Sequence, residues 1–153
     1  MPKRLLLIAN TPSANTLALR DAVLGGAASA EAEVEALALD PLAAGPEDVL
    51  AAGAVILGTT ENLGYMSGAL KDFFDRAYYP LLERTQGLSC AVYIRAGHDG
   101  TGTRRALETI LTGLRWRQVQ PPLILRGAYR ESFAEDCREL GALMAAGLDA
   151  GVF

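Results

Sequence analysis

The chain has 153 residues, half of them hydrophobic, which suits one domain with a sizeable core over residues 1–153. Its formal net charge is −4, and an acidic balance argues against nucleic-acid binding, which needs a basic face. The first apolar run, residues 5–9, is too short for a signal segment or a membrane span, so we expect a cytoplasmic protein without membrane contact.

The first part of the chain alternates short apolar runs with helical patterns. Strands are predicted at residues 5–9 and 54–57, where continuous apolar residues indicate burial on both faces, as in a parallel sheet. Residues 32–39 begin with polar and apolar residues in alternation, which suits an edge strand. Between these strands, the periodicity predicts a helix at residues 16–28 and a short, weaker one at residues 46–52.

The rest of the chain continues this alternation. Helical periodicity predicts helices at residues 67–83 and 103–115, and apolar runs predict strands at residues 90–94 and 123–125. Proline disrupts a helix interior, so Pro80 is expected to kink the first of these helices or to end it one residue earlier.

Strands that alternate with helices predict an α/β fold. A last helix is expected to open with Ser132-Phe-Ala-Glu135, which matches a capping box. Five strands and five helices in this order favour a doubly wound three-layer sandwich with a five-stranded parallel sheet of order 2-1-3-4-5. Ligands bind such sheets beyond the carboxyl ends of the strands, where the chain leaves strands 1 and 3 on opposite sides. The loops after strands 1, 3 and 4 are therefore the candidate site.

The loop after strand 1, residues 10–16, is polar but carries no charged side chain. The unpaired amides and partial positive charge of a helix N-terminus bind phosphate without a cation, and hydroxyl groups add donors. The same residue types are also ordinary helix caps, which is the alternative interpretation. The composition favours an anion, with these candidate contacts: Thr11, Ser13, Asn15 and Thr16.

The loops after strands 3 and 4 combine glycine with residues that can cover a flat ring. Residues 59–68 include Gly64, Tyr65 and Met66, and residues 96–103 include three glycines. Glycine lets the backbone approach a planar ligand closely. Together with the polar loop after strand 1, this pattern predicts a phosphorylated ligand with a large ring.

No residue pattern in the chain predicts a metal site. Cys90 and Cys137 lack metal-binding spacing, and each is expected to be a small buried hydrophobic residue. His98, the sole histidine, lies in the loop after strand 4. It could hydrogen-bond a bound ring or protonate an acceptor, although a histidine in a loop is more often simply solvated.

Two segments resemble a known family. Tyr65-Met-Ser-Gly-Ala-Leu-Lys-Asp-Phe-Phe-Asp-Arg76 is similar to the segment after strand 3 in the flavodoxin-like superfamily, especially its NAD(P)H-dependent FMN reductase branch. Ser13-Ala-Asn-Thr16 resembles the phosphate loop of that group, although the arginine that often occurs there is missing. The resemblance implies FMN as the cofactor, with its phosphate on residues 11–16. The implied ring contacts are Glu61, Asn62, Leu63, Gly64, Tyr65, Met66, Ala96, Gly97, His98, Asp99 and Gly100, and Thr60 is a further candidate cofactor contact.

The resemblance also implies a flavoprotein whose redox chemistry is supplied by FMN, so no catalytic side chain is assigned. Tyr65 is the only aromatic residue in the three loops, and Trp116 lies outside them, which leaves one ring face open. We therefore expect an oxidoreductase that passes hydride or electrons from NAD(P)H through FMN to a flavin, quinone or similar acceptor. The alternatives are a flavodoxin-type electron-transfer protein and a flavodoxin-like domain without redox activity.

The expected partners are a small-molecule electron donor and a small-molecule acceptor. The reductase branch that the chain resembles often forms dimers or tetramers, so a homodimer and a homotetramer are among the expected states. A response-regulator receiver shares the strand order, but it needs acidic residues after strand 1 and a phosphoacceptor aspartate after strand 3. This chain has Asn10-Thr11 and Thr59-Thr60 in those places, so we reject a receiver.

Overall fold

A central sheet carries helices on both of its faces. The structure, a computed structural model, describes residues 2–153. Its strands are β1 (Lys3–Ala9), β2 (Val34–Leu39), β3 (Ala54–Asn62), β4 (Tyr65–Met66), β5 (Ser89–Ala96), β6 (Arg117–Gln118) and β7 (Leu123–Arg126). Its helices are α1 (Ala14–Ser29), α2 (Pro46–Leu50), α3 (Gly68–Leu81), α4 (Thr101–Leu114) and α5 (Glu131–Ala150).

The main positions in the sheet follow the predicted order, but the described chain has seven strands instead of five. β1 pairs in parallel with β2 and β3, and β3 pairs in parallel with β5. The fifth position is divided between β6 and β7, which both pair in parallel with β5. Pro121 and Pro122 lie between them, and proline has no N–H to donate to a ladder. β4 is the other addition, and it folds back antiparallel to the end of β3.

The central strands are buried on both faces, as their continuous apolar runs predicted. Leu6 and Ile8 of β1 pack in a core formed with α3 and α4, whereas Leu5 and Leu7 pack in a second core formed with α1 and α5. β2 is only partly buried along its length, which agrees with its predicted position at the edge of the sheet.

Two helix boundaries differ from those expected from the sequence. α3 continues through Pro80 and ends at Leu81, because the proline lies in the last turn, where few backbone hydrogen bonds depend on it. The capping box predicted at Ser132 is wrong, since α5 begins at Glu131 after an N-cap at Arg130. The Ser132 hydroxyl oxygen instead accepts a hydrogen bond from the side chain of that arginine at 3.2 Å. None of the helices in residues 2–153 has both the length and the apolar character that crossing a membrane requires.

α1 and α5 touch closely because each contributes a glycine to the contact. A Cβ at Gly26 would lie 1.9 Å from the carbonyl oxygen of Arg138, and a Cβ at Gly141 would lie 2.0 Å from that of Val23. These obstructing atoms belong to the backbone, so they cannot rotate away as the end of a side chain can. The neighbouring Gly25 has no atom within 4 Å of its Cβ position, so two adjacent glycines occupy very different environments.

We predict opposite effects of alanine at these two adjacent glycines. Gly26→Ala forces α1 away from α5 and should lower the free energy of unfolding by about 1–3 kcal/mol, as overpacking does. Gly25→Ala places a better helix former at an open position and should raise the free energy of unfolding by up to about 1 kcal/mol. Chemical denaturation measures both values, and equal effects of the two substitutions would contradict the close contact between the helices.

Candidate functional site

The carboxyl ends of the parallel strands lie along one edge of the sheet, which we call the strand-end rim. α1 follows the end of β1, α4 follows the end of β5, and α5 follows the end of β7. Hydrogen bonds connect Asn10 with Thr60 and Arg126 with Asp99 across this rim. The structure therefore brings the three predicted segments, residues 11–16, 60–66 and 96–100, to one edge of the protein.

A capping box closes the first turn of α1. Ser13 is the N-cap, and its hydroxyl oxygen accepts a hydrogen bond from the Thr16 amide at 3.2 Å. The Thr16 hydroxyl oxygen accepts a bond from the Ser13 amide and donates to the Ser13 carbonyl oxygen, both at 3.0 Å. Thr16 is only 7% exposed. The capping interpretation therefore accounts for the hydroxyl of Thr16, which is engaged within the turn.

Capping leaves several donors of this turn unused. The backbone N–H groups of Thr11, Ala14 and Asn15 have no hydrogen-bond partner within residues 2–153. The side chains of Ser13 and Asn15 are exposed, and the first turn contains no acidic residue that would repel an anion. Free amides and the positive end of the helix dipole fit a phosphate group. Phosphate binding here stays a prediction, and the donor set agrees with it.

The side chain of Asn10, which the sequence left unassigned, connects the first loop with β3. Its Oδ1 accepts a hydrogen bond from the Thr60 amide at 3.3 Å, and its Nδ2 donates to the Thr60 hydroxyl oxygen at 3.4 Å. The Thr60 hydroxyl and Oδ1 of Asn62 are 3.0 Å apart and form the next bond. The sequence offered one sign of this role for Asn10, which is its position as the first polar residue after a buried strand.

Residues 61–66 form a hairpin that stands at the strand-end rim. The last two residues of β3 pair with β4, and the turn between them consists of Leu63 and Gly64. These residues have φ angles of 53° and 75°, and positive φ at both positions is typical of the type I′ turn that closes tight hairpins. The side chain of Leu63 is fully exposed at the tip.

The two residues expected to cover a ring have different environments. Tyr65 is 40% exposed at the rim, whereas Met66 is 2% exposed and packs in the core beside α3. Tyr65 alone therefore presents an aromatic surface in this hairpin. The thioether of Met66 anchors the hairpin to the core.

The hairpin is held at its base and at its tip. At the base, the Ser67 amide donates to the buried hydroxyl of Thr59 at 3.0 Å. At the tip, the carbonyl oxygen of Gly64 lies 2.1 Å from the position that a Cβ would occupy at Gly102 in α4. The hairpin can rest on the start of α4 because residue 102 has no side chain.

The loop after β5 exposes His98 and Asp99 at the rim. The side-chain carboxylate of Asp99 accepts a hydrogen bond from the Thr101 amide at 2.9 Å. The backbone carbonyl oxygen of Asp99 accepts another from Nε of Arg126 at 2.7 Å. The bond from the Thr101 amide lowers the pKa of Asp99, and the nearby positive charge of Arg126 acts in the same direction. Asp99 is therefore an anion at neutral pH. A role for His98 toward a ligand stays a prediction.

The two cysteines are buried, as expected from the sequence. Both are free thiols with no exposed surface, and burial raises the pKa of Cys90 and of Cys137 to about 12. Neither thiol is a reactive nucleophile at neutral pH, because the thiolate is the reactive form. Within residues 2–153, no three His, Cys, Asp or Glu side chains lie close enough together to hold a metal ion.

No family model matches the chain, but a curated relative resembles it in sequence. A protein named flavodoxin from Aquifex aeolicus is 33% identical over 112 residues, which cover 72% of this chain. The match spans 60% of the length of that relative.

Solved structures resemble the chain over nearly its whole length. A flavodoxin from the domain Archaea has a TM-score of 0.80 at 17% identity, and the match covers 95% of this chain and 98% of that one. An oxidoreductase from Corynebacterium diphtheriae has a TM-score of 0.71 at 15% identity, and the match covers 98% of each chain. The chain therefore has the flavodoxin-like fold, and the resemblance noted in the sequence is confirmed at the level of the fold.

We predict that Asn10→Ala loosens the end of β3 without unfolding the protein. The two lost hydrogen bonds should lower the free energy of unfolding by about 1 kcal/mol and speed amide hydrogen exchange at Thr60. Asn15→Ala is the control, because that exposed side chain makes no hydrogen bond within residues 2–153. Native-state exchange followed by NMR measures the effect, and unchanged protection at Thr60 in the Asn10 variant would disprove the bridge.

Proposed function

We propose that this flavodoxin-like chain binds FMN at the strand-end rim and acts as an NAD(P)H-dependent oxidoreductase that reduces a flavin, a quinone or a similar acceptor. The observation that carries the proposal is the set of unused amides at Thr11, Ala14 and Asn15, next to a rim that exposes Tyr65 on a fixed hairpin. The names of the flavodoxin relatives support the same cofactor.

The first turn of α1 would hold the phosphate. Its free amides donate to the phosphate oxygens, and the helix dipole places a partial positive charge beside them. The exposed amide of Asn15 can add further donors, and the Ser13 hydroxyl could do so by turning away from the Thr16 hydroxyl, which lies 3.0 Å from it. The absence of an acidic residue from this turn keeps repulsion of the dianion low. The site would thus bind phosphate through neutral groups alone.

The hairpin and the loop after β5 would hold the ring. Tyr65 packs against a ring face, while the Asn10 bonds and the contact at Gly102 keep the hairpin in place before the ligand arrives. A hairpin that is already ordered loses little conformational entropy on binding. Bound FMN supplies the hydride and single-electron chemistry. The protein itself positions the cofactor and controls which molecules reach it.

An electron-transfer protein of the flavodoxin type is the second candidate. It is favoured by the name of the Aquifex aeolicus relative and of the archaeal structure. The oxidoreductase is favoured by the presence of a single aromatic residue, Tyr65, in the three loops, because an uncovered ring face can receive a nicotinamide. The two functions differ in whether NAD(P)H reacts directly with the flavoprotein.

Steady-state kinetics on the FMN-loaded protein tests the choice between these functions. We expect NADH or NADPH to be oxidised when benzoquinone or ferricyanide is present as the acceptor. A protein that retains FMN but oxidises neither nucleotide would be an electron carrier. A protein that neither contains nor binds FMN would overturn both functions and leave a flavodoxin-like domain without redox activity.

We predict that Ala14→Pro weakens phosphate binding selectively. Proline suits the first position of a helix and removes one free amide, and the extended backbone of Ser13 accommodates a following proline. Loss of a hydrogen bond to a charged group should weaken FMN binding by about 10- to 100-fold. Riboflavin lacks the phosphate, so its affinity should not change. Flavin fluorescence titration measures both, and an unchanged FMN affinity would place the phosphate elsewhere.

We predict that Gly102→Ala disturbs the ring side of the site. The added methyl group collides with the carbonyl oxygen of Gly64 and displaces the hairpin tip, so FMN and riboflavin should lose affinity by similar factors. Gly68→Ala, at the start of α3, is the matched control, because nothing lies within 4 Å of its Cβ position. The same fluorescence titrations apply. If Gly102→Ala binds both flavins normally, the hairpin does not contact the ring.

A further inference from the structure

The chain is acidic overall but carries an excess of positive charge in one segment. Residues 95–130 contain seven arginines and two acidic residues, an excess of 5 positive charges. The remaining residues contain seven Lys or Arg and sixteen Asp or Glu, an excess of 9 negative charges, and the two values sum to the net charge of −4. The positive charge is therefore concentrated rather than spread over the protein.

Most of this positive charge lies at the strand-end rim. Arg95 is the penultimate residue of β5, Arg126 is the last residue of β7, and Arg130 is the N-cap of α5. Arg104 and Arg105 lie in the first half of α4, which begins at the rim. Only Arg115 and Arg117 belong to the opposite edge, because they follow the end of α4. Five of the seven arginines in this segment therefore lie at the rim that carries the proposed flavin site.

The arginines of this segment are poorly neutralised by neighbours. Outside residues 95–130, four of the seven cations form ion pairs within the described chain. Inside it, only Arg104 does, with Glu108 at 3.5 Å. Glu61, Asp99 and Glu131 are acidic residues at the rim, and none of them forms an ion pair with an arginine in residues 2–153. Arg95 uses a terminal nitrogen to bond the carbonyl oxygens of Ala96 and Leu125. The rim arginines that form no ion pair and keep their terminal nitrogens free within residues 2–153 are Arg105, Arg126 and Arg130, which we call the basic rim.

Arg126 and Arg130 are held in place but keep free donors. Arg126 uses Nε to bond the carbonyl oxygen of Asp99, which fixes its guanidinium over the loop after β5. Arg130 stacks on Phe133, with its guanidinium carbon 4.7 Å from the ring centre, and its Nε bonds Ser132. The terminal nitrogens of both make no hydrogen bond within residues 2–153. A guanidinium with two free nitrogens matches a carboxylate or a phosphate.

We propose that the basic rim makes small anionic molecules, with phosphate or carboxylate groups, the preferred electron donors and acceptors of this site. The proposal rests on FMN binding at the strand-end rim. A uniformly acidic protein of charge −4 would repel such partners. A local cationic surface attracts them once they are close to it, because salt screens the more distant charges of the protein.

Stopped-flow oxidation of the reduced flavoprotein tests this preference. FMN-loaded protein is reduced with one equivalent of dithionite and mixed with ferricyanide, a small trivalent anion. Two ferricyanide ions each take one electron, and the flavin returns to its oxidised state and releases its protons to solvent. Above about 0.1 M ionic strength, where the Debye length is roughly 10 Å and most of the net charge is screened, we expect the second-order rate constant to fall as salt is added, as for attraction. A rate constant that rises with salt in this range would show that net charge dominates and would overturn the proposal.

A matched pair of variants identifies the charge responsible. Arg126→Gln should lower the ratio of the ferricyanide rate to the rate with neutral benzoquinone by about threefold at an ionic strength of about 0.1 M, where the Debye length is roughly 10 Å. Arg84→Gln makes the same change in net charge at the opposite edge of the sheet, where that side chain bonds only the Pro80 carbonyl oxygen, and should leave the ratio unchanged. Equal changes in the two variants would overturn the proposal.

A measurement on the flavin-free protein separates this inference from the cofactor assignment. Ferrocyanide is added as a redox-inert anion, and backbone amide shifts are followed by NMR. We expect saturable shifts at Asp99, Arg126 and Gly127, which Arg126→Gln weakens. This result would support the basic rim even if FMN failed to bind. Shifts confined to residues 11–15, or no shifts at the rim, would reject the basic rim and leave the FMN proposal intact.

Discussion

The candidate site depends on the way the end of β1 is joined to the end of β3. The parallel pairing of these strands reaches Ala9 and Gly58, and the Asn10 amide adds a bond to the Gly58 carbonyl oxygen at 3.2 Å. Beyond that point the side chain of Asn10 continues the connection by bonding Thr60. Because α1 begins only four residues later, the same contact fixes the free amides of its first turn relative to the hairpin. One amide side chain thus couples the two halves of the proposed flavin site.

Missing side chains matter as much as the hydrogen bonds for the shape of the rim. The hairpin tip rests on α4 only because Gly102 has no Cβ. Similarly, β3 passes over the ring of Tyr93 only because Gly58 has no Cβ, since a Cβ there would lie 2.2 Å from the Cζ atom of that ring. Contacts this close leave the backbone little freedom to move. The exposed groups at the rim, chiefly Leu63 and Tyr65, therefore stand on a backbone whose position is already set.

The sequence predicted the parts of the fold that burial determines. Strands buried on both faces leave long apolar runs, so β1, β3 and β5 and the order of the main strands followed from the pattern. The hairpin could not be predicted from the pattern, because a two-residue strand has no periodicity. Its turn also begins with Leu63, where asparagine or glycine is usual. The link between Asn10 and Thr60 joins residues 50 positions apart, and no local pattern encodes it. The capping box at Ser132 failed because a local motif does not specify which residue starts the helix.

The free amides of α1 and the arginines of the basic rim act over different distances. The amides at the start of α1 bind at contact range and carry no net charge, so they can hold a dianion without making the protein less acidic. A bound phosphate adds about −2, which would bring the net charge of −4 to about −6 and increase the repulsion of any arriving anion. The arginines of the basic rim act over about one Debye length, roughly 10 Å, which is the range that governs approach. In the proposed flavoprotein, the basic rim would therefore offset this repulsion for anions that approach the loop after β5.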